Sequence, residues 1–514
     1  MIDSIATESG RARREHTVGS TSATTPVEKS GEHADTPSPL TLPVVLVGVA
    51  LVAMSISGTA VALPSIGRDL DASGSPLSWV VAGYNLAFAA MTLVAGSTAD
   101  QAGRRRVFIV AALVFSAGFA VTAFSSSILL TDAARIVSGA GGAGIMAAGG
   151  AILASGYDGA ARNRAFALMG TMAGVGIAIG PTLSGLLITA AGWRGSFVVY
   201  TVVGVLITLG ATRLPESRAG DTGRTDWAGS LLFIGALTAL MFAILEGPAL
   251  GWAHPAILLT GIAGVIALTA FVMVQRRSAS PVLAPSLVAN KGFLGWSLAT
   301  LTTSIGFLGA LVFLPTFLQA AGGLSAASAG LTMLLLTAPV LVMPMVAVTL
   351  VNRGVPARLL IMVALVLVVA GNLWLVTLSS IGVVGVVLIP LLLVGVGMGV
   401  SFGITDGQAM SLVPADSVGM AAGFLNTLRG AAEALVIAAF SAALLSLLTA
   451  RLGSPSVAAQ VSAGELSGGD PSAKIDAWTW SWQTTQLGVA ALCLVLSIIV
   501  AVLIFTPART STPE

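Results

Sequence analysis

The sequence predicts an all-α integral membrane protein with fourteen transmembrane helices. Three observations carry that reading. Only 9% of the 514 residues are charged and 55% are hydrophobic, with a mean hydropathy of +0.95, a composition foreign to soluble globular domains. The apolar stretches run unbroken for about 20 residues, the length a helix needs to cross hydrocarbon. They also lack the apolar–polar alternation of barrel strands, and the bilayer core admits only helices or closed barrels.

Residues 1–40 are rich in Ser, Thr, Glu and Arg. Such a segment cannot bury a core and is expected to be disordered. It has no apolar h-region, so the first transmembrane helix would act as the export signal. Apolar spans follow at 41–64, 77–97, 107–126, 128–154, 165–191, 196–213, 228–246, 255–274, 293–318, 327–350, 357–377, 382–405, 419–448 and 484–506. They divide the chain into a tail (1–40), a six-helix half (41–213), a two-helix insert with its flanking loops (214–291), a second six-helix half (292–506) and a short tail (507–514).

An even number of spans places both termini on one face. Of the 24 Lys and Arg residues, 18 fall in the tails and loops of that face. Four (Arg68, Arg194, Arg451 and Lys474) fall in the opposite loops, and Arg135 and Arg429 lie inside spans. Basic residues collect on the cytoplasmic side, so both termini are expected in the cytoplasm. The net charge of +2 therefore reports topology and not nucleic-acid binding. Three lysines beside 21 arginines suggest a GC-rich bacterial gene, and hence the bacterial plasma membrane.

The single cysteine, Cys493, excludes an internal disulfide and a thiolate metal cluster. The sequence shows no P-loop, metal-ligand cluster or nucleophile elbow. Neither an enzyme nor a cofactor or metal is expected. Trp478, Trp480 and Trp482 at the entrance to the last span read as an interfacial belt. The loop 351–358, VNRGVPAR, echoes Gly96–Arg106, GSTADQAGRRR, keeping a glycine and two arginines but no acid. Paired halves of this kind mark transporters built from repeats.

The Gly96, Asp100, Gly103 and Arg104 pattern resembles the loop between the second and third helices of the major facilitator superfamily. Further stretches resemble its fourteen-helix drug:proton antiporter branch. Ala60-Val61-Ala62-Leu63-Pro64 looks like N-V-A-L-P, and Trp79, Tyr84, Asn85 and Leu86 match a W-x-x-x-x-Y-x-L pattern. Arg135 to Gly139 is similar to R-x-x-Q-G. Gly176, Gly180, Pro181 and Gly185 resemble the antiporter motif, and Trp193-Arg194 follows it as in relatives. Asp226-Trp227, Glu246-Gly247-Pro248 and Gly251-Trp252 match the extra helix pair, and Asn426 with Arg429 is similar to N-x-x-R. The resemblance implies a major facilitator fold with two six-helix halves plus two extra central helices. It also implies efflux of hydrophobic or amphiphilic small molecules, drugs or antibiotics among them, by proton antiport with alternating access, and no obligatory oligomer. One position departs: relatives often carry an aspartate in the first helix where this chain has Ser55. That leaves open an uncoupled carrier of the same fold, a lipid or natural-product carrier, or a membrane sensor that does not transport.

The residues themselves suggest roles. A charge near the bilayer centre costs about 2.5–3.5 kcal/mol on insertion scales, so Arg135 needs a partner. Asp132 shares its helix face three residues earlier, as an interfacial acid or as that partner. Asn426, Arg429 and Glu433 line one face of the thirteenth span, with Glu433 near mid-membrane. Desolvation raises and a neighbouring cation lowers a carboxyl's proton affinity, so Glu433 beside Arg429 is either a coupling acid or a static pair. Glu433, Asp132, Arg135 and Arg429 are the proton-coupling candidates. Ser55, Thr59, Tyr84, Asn85, Met169, Met172 and Asn426 are the substrate-cavity candidates, near the midplane where such sites lie. Gly96, Asp100, Gly103 and Arg104 are assigned to conformational control, and Gly176, Gly180, Pro181 and Gly185 to a close-packed, kinked helix. Two buried arginines and few acids point to neutral, zwitterionic or anionic amphiphiles. Transport of a quaternary ammonium dye that vanished in Glu433→Gln would contradict that expectation.

Overall fold

A computed structural model describes residues 38–157, 159–218, 227–277, 290–379, 383–413 and 418–505. The first tail to residue 37, Asp226 and the tail from 506 lie outside the described residues. The elements are α1 (Thr41–Asp69), α2 (Ser75–Ala102), α3 (Arg104–Phe124), α4 (Ile128–Gly156), α5 (Gly159–Ala211), α6 (Trp227–Leu250) and α7 (Pro255–Arg277). They continue as α8 (Lys291–Ala320), α9 (Ala326–Asn352), α10 (Ala357–Leu375), α11 (Val383–Ser411), α12 (Val418–Leu452), α13 (Pro455–Ser462) and α14 (Pro471–Phe505).

The chain punctuates these helices with familiar signals. Ser127, Asn290 and Ser325 cap α4, α8 and α9 by accepting from Leu130 N, Phe293 N and Ser328 N, satisfying donors that a helix start leaves free. Gly103 separates α2 from α3 at φ 112°, a conformation that side chains rarely adopt. Gly354, its counterpart in the echo loop, sits at φ 93°.

Among the described residues, twelve helices are long and apolar enough to cross a membrane, or thirteen when the bent pair Ser75–Thr92 and Val94–Ala102 is taken as one span. This tally falls short of the fourteen expected from the sequence. Helix α5 has 53 residues and a break at Gly192, φ 70° and ψ 174°. At about 1.5 Å per residue it would measure about 80 Å unbroken.

Helices α1 to α5 pack into one group, α8 to α12 with α14 into another, and the α6–α7 hairpin lies against α2 and α12. Here the face where α1 starts and α14 ends is the tail face, and its opposite is the far face. The two groups meet along α2 on α12 and α5 on α9, with α1 also touching α8. Ser78 Oγ lies 2.7 Å from Ser441 Oγ, and Gln319 Nε2 donates to Val61 O over 3.1 Å. Thr182 Oγ1 donates to Gly330 O at 2.9 Å, and Thr337 Oγ1 to Ala178 O at 2.7 Å. All four bonds lie between mid-bundle and the far face. The short helix α13 adds to this closure, since Ala459 stands against Gly74 and Ala463 against Gly67. Toward the tail face, a Cβ on Gly96 or Gly170 would meet nothing within 4 Å.

The expected tryptophan belt is corrected. Trp478 and Trp482 are buried in the second group, 5.4 Å and 6.1 Å from the Phe317 ring, with Trp482 also 5.6 Å from Phe440. Trp480 alone is exposed, with the Arg451 guanidinium 5.2 Å from its ring.

Candidate transport site

Arg135 is fully enclosed in the first group. Its Nε donates to Val80 O at 3.1 Å and one terminal nitrogen to Ser55 Oγ at 3.3 Å. The guanidinium lies 4.3 Å from the Tyr84 ring centroid, 5.1 Å from Phe119 and 5.8 Å from Phe197. Aromatic faces stabilise a desolvated guanidinium. The expected pairing with Asp132 does not form, because the long Arg135 side chain reaches across to α1 and α2. Asp132 is left 8% exposed, with Oδ1 buried and without a hydrogen-bond partner.

Glu433 lies on α12, which meets α2 along a seam. Ser78 opposes Ser441, and Gly430 packs on Ala89. Between two antiparallel helices, this register sets Asn85 level with Ala434 and Glu433. Asn85 Nδ2 donates to Val81 O at 2.9 Å, while its Oδ1 is buried without a partner. The expected Arg429–Glu433 pair gives way to another. Arg429 reaches both oxygens of Asp406 on α11, at 2.9 and 3.0 Å, and lies 4.8 Å over Phe402. Asp406 is thus a fixed partner of Arg429.

Of the cavity candidates, Ser55, Thr59, Tyr84 and Asn85 are buried within the first group and its seam. Thr59 Oγ1 is tied to Ser55 O at 2.8 Å. Met169 and Met172 are half-buried on α5. Asn426 lies on α12, but its side chain is outside the described residues.

The antiporter-motif residues divide between two interfaces. A Cβ on Gly176 would collide with Ala50 O and one on Gly180 with Ser57 Oγ, so these glycines seat α5 on α1. Gly185 would collide with Ala326 O, and Gly330 of α9 lies against Pro181 O. That end of the motif faces the other group.

At the tail face, Arg104 pairs with Asp100 at 2.9 Å. Sequence reasoning missed Glu216, which follows α5. It accepts from Arg105 N at 3.1 Å at the start of α3 and stands 3.7 Å from both Arg105 Nε and Arg106 Nε. Ser217 O accepts from Arg104 N at 3.0 Å. An isolated acid within the most basic loop face was the available signal.

The sequence matches the Major Facilitator Superfamily over residues 45–437. It is 31% identical to the multidrug resistance protein Stp of Mycobacterium tuberculosis, covering 76% of this chain and 73% of that one. It is 32% identical to the cephamycin export protein CmcT of Amycolatopsis lactamdurans, over 74% and 79%. Among solved structures, a bacterial homolog of the human lysosomal transporter Spinster in an inward-facing, unoccupied conformation superposes with a TM-score of 0.63 at 15% identity, covering 91% and 98%. Helical architecture, sequence match and relatives agree: the chain belongs to the Major Facilitator Superfamily, and is a membrane transporter rather than an enzyme.

Proposed function

We propose that this chain is a secondary active exporter of the bacterial plasma membrane, moving hydrophobic or amphiphilic small molecules outward in exchange for protons by alternating access. Relatives named for multidrug resistance and cephamycin export support export. The observation that carries coupling is Glu433, an acid at mid-span of α12, level with the unpartnered Oδ1 of Asn85. A protonated Glu433 would find an acceptor at that level of the seam, and an ionised one has Arg429 one turn away on α12. Either state is accommodated, as a group that takes and releases a proton requires. Dividing α5 at Gly192 completes fourteen spans with both termini in the cytoplasm. The tail face is then the cytoplasmic face, and the hydrogen bonds between the groups lie toward the outside. Nothing in the arrangement requires an oligomer.

Ser55 beside Arg135 favours one second reading, an uncoupled carrier of the same fold. In reconstituted vesicles with an imposed pH gradient, the exporter accumulates amphiphilic antibiotics, and a protonophore abolishes the accumulation. Equilibrating flux that ignores the protonophore identifies the uncoupled carrier, and binding without flux identifies a sensor.

A further inference from the structure

Between α12 and α14 the chain crosses the far face as a strap, made of the eight-residue helix α13 and the loop that follows it. The strap takes part in both groups. Ala463, at the end of α13, is buried with the core that holds α1 and α2, while Ala458 and Val461 are buried in the core of the second group. A Cβ on Gly67 of α1 would lie 3.7 Å from the Ala463 Cβ, and one on Gly74, just before α2, 2.9 Å from the Ala459 Cβ. Ser73 of the α1–α2 turn and Gln460 of α13 line one cavity of about 40 Å³. A Cβ on Gly464 would stand 3.2 Å from the Ala320 Cβ of α8 and 3.7 Å from the Pro64 Cβ of α1. Those two neighbours adjoin the ends of the Gln319–Val61 bond between the groups.

The grip on the two sides is unequal. Toward the first group, α13 offers two alanines that face glycines, and such small residues bury little apolar surface. Toward the second, α13 packs on α12 and α14, buries Ala458 and Val461, and continues into a loop whose Ser467 O accepts from Lys474 Nζ of α14. When the groups part, the strap therefore stays with the second. Its ends are suited to bending. Gly453 before α13 and Gly464 after it stand at φ 71° and 90°, backbone that glycine adopts at no steric cost. A few loop residues of this kind can absorb the backbone change of a moving segment.

We propose that α13 is a hinged lid: carried by the second group, it seats on the α1–α2 turn and lifts off that turn as the two groups separate at the far face. The lid rests on the alternating-access reading and adds to it a part that must release in every cycle. Seated, it covers the α1–α8 junction and holds the two groups together there. Lifted, it bares Ala463 and Ala459 and leaves Ala458 and Val461 packed.

Two readouts on the full chain, in a Cys493→Ser background, test the lid. The first needs no substrate. In lipid nanodiscs, a maleimide should label Ala463→Cys several-fold faster than Ala458→Cys, because lifting exposes only the face toward the first group. Equal rates would mean that α13 unfolds locally and does not lift, and would overturn the proposal. The second readout tethers Ser73→Cys to Gln460→Cys with a short bis-methanethiosulfonate. In vesicles the tether should lower accumulation of an amphiphilic antibiotic several-fold, and a reductant should restore it. Tethering Glu465→Cys to Ser467→Cys, within the strap, should leave accumulation unchanged. Undiminished accumulation with α13 tied to the α1–α2 turn would overturn the lid. The same vesicles before tethering read the exporter proposal itself, so the two failures are told apart.

Discussion

Arg135 shows how a single residue's surroundings decide what substitution can do. Its guanidinium is wrapped by three aromatic rings and bonded to Ser55. Ser55→Asp would place an acid within ion-pair range of it and should be tolerated. Ser55→Asp combined with Arg135→Met would leave that carboxylate unpaired and buried, at a cost of about 3–5 kcal/mol. Thermal unfolding in detergent reads the difference as a melting temperature near wild type for the single variant and a large drop for the double. Glu216 is a milder case at the membrane surface. Glu216→Gln keeps an oxygen for Arg105 N and loses only partly exposed ion pairs, worth about 0–1 kcal/mol. Glu216→Ala also removes an acceptor at a helix start, about 1 kcal/mol more, and should be measurably less stable than Gln. The sequence made Arg135 and Ser55 visible as an unusual buried charge and a missing acid. It could not show where the Arg135 side chain goes. Helical periodicity relates Asp132 to Arg135 on one face, but a side chain this long chooses among partners on neighbouring helices, which periodicity does not contain.

At the scale of elements, small residues set how closely helices approach. Gly176 sits against backbone oxygen of α1, which cannot swing aside, so Gly176→Ala should cost about 1–3 kcal/mol in overpacking. Gly170, two turns away on the same helix, meets open space, and Gly170→Ala should be neutral or stabilising, since Ala is the better helix former by about 1 kcal/mol. Melting temperatures of the two variants measured side by side check the contrast. Gly185 touches α9 across the seam, so Gly185→Ala should weaken closure of the far face. Labelling of a cysteine introduced at Gln460, in a Cys493→Ser background, should rise several-fold if α13 lifts with it. Element positions were largely legible in the apolar runs, with the break at Gly192 falling in the gap predicted between 191 and 196. The tryptophans were misjudged for a geometric reason. Residues 478 and 482 are one turn apart and face the core together, whereas 480 points the other way, and membrane-interface composition conceals that division. Helix α13 was hidden because its eight residues are too short for a periodic signal and it is held by contacts with the α1–α2 turn.

At the scale of the whole molecule, the hydrogen bonds between the two groups gather toward the far face, an arrangement that fits one state of the proposed alternating-access cycle. What drives the cycle is the central claim. The seam sets Asn85 of α2 level with Ala434 and Glu433 of α12, while the sequence alone offered them on separate helices without a register between them. The most direct measurement is substrate-triggered proton flux. The protein is reconstituted in vesicles with an internal pH dye and challenged with a panel of amphiphilic antibiotics, then the challenge is repeated with Glu433→Gln. The account predicts a proton movement in the wild type that falls at least tenfold in the variant while substrate binding persists. Substrates that cross the wild-type membrane with no proton movement would contradict it.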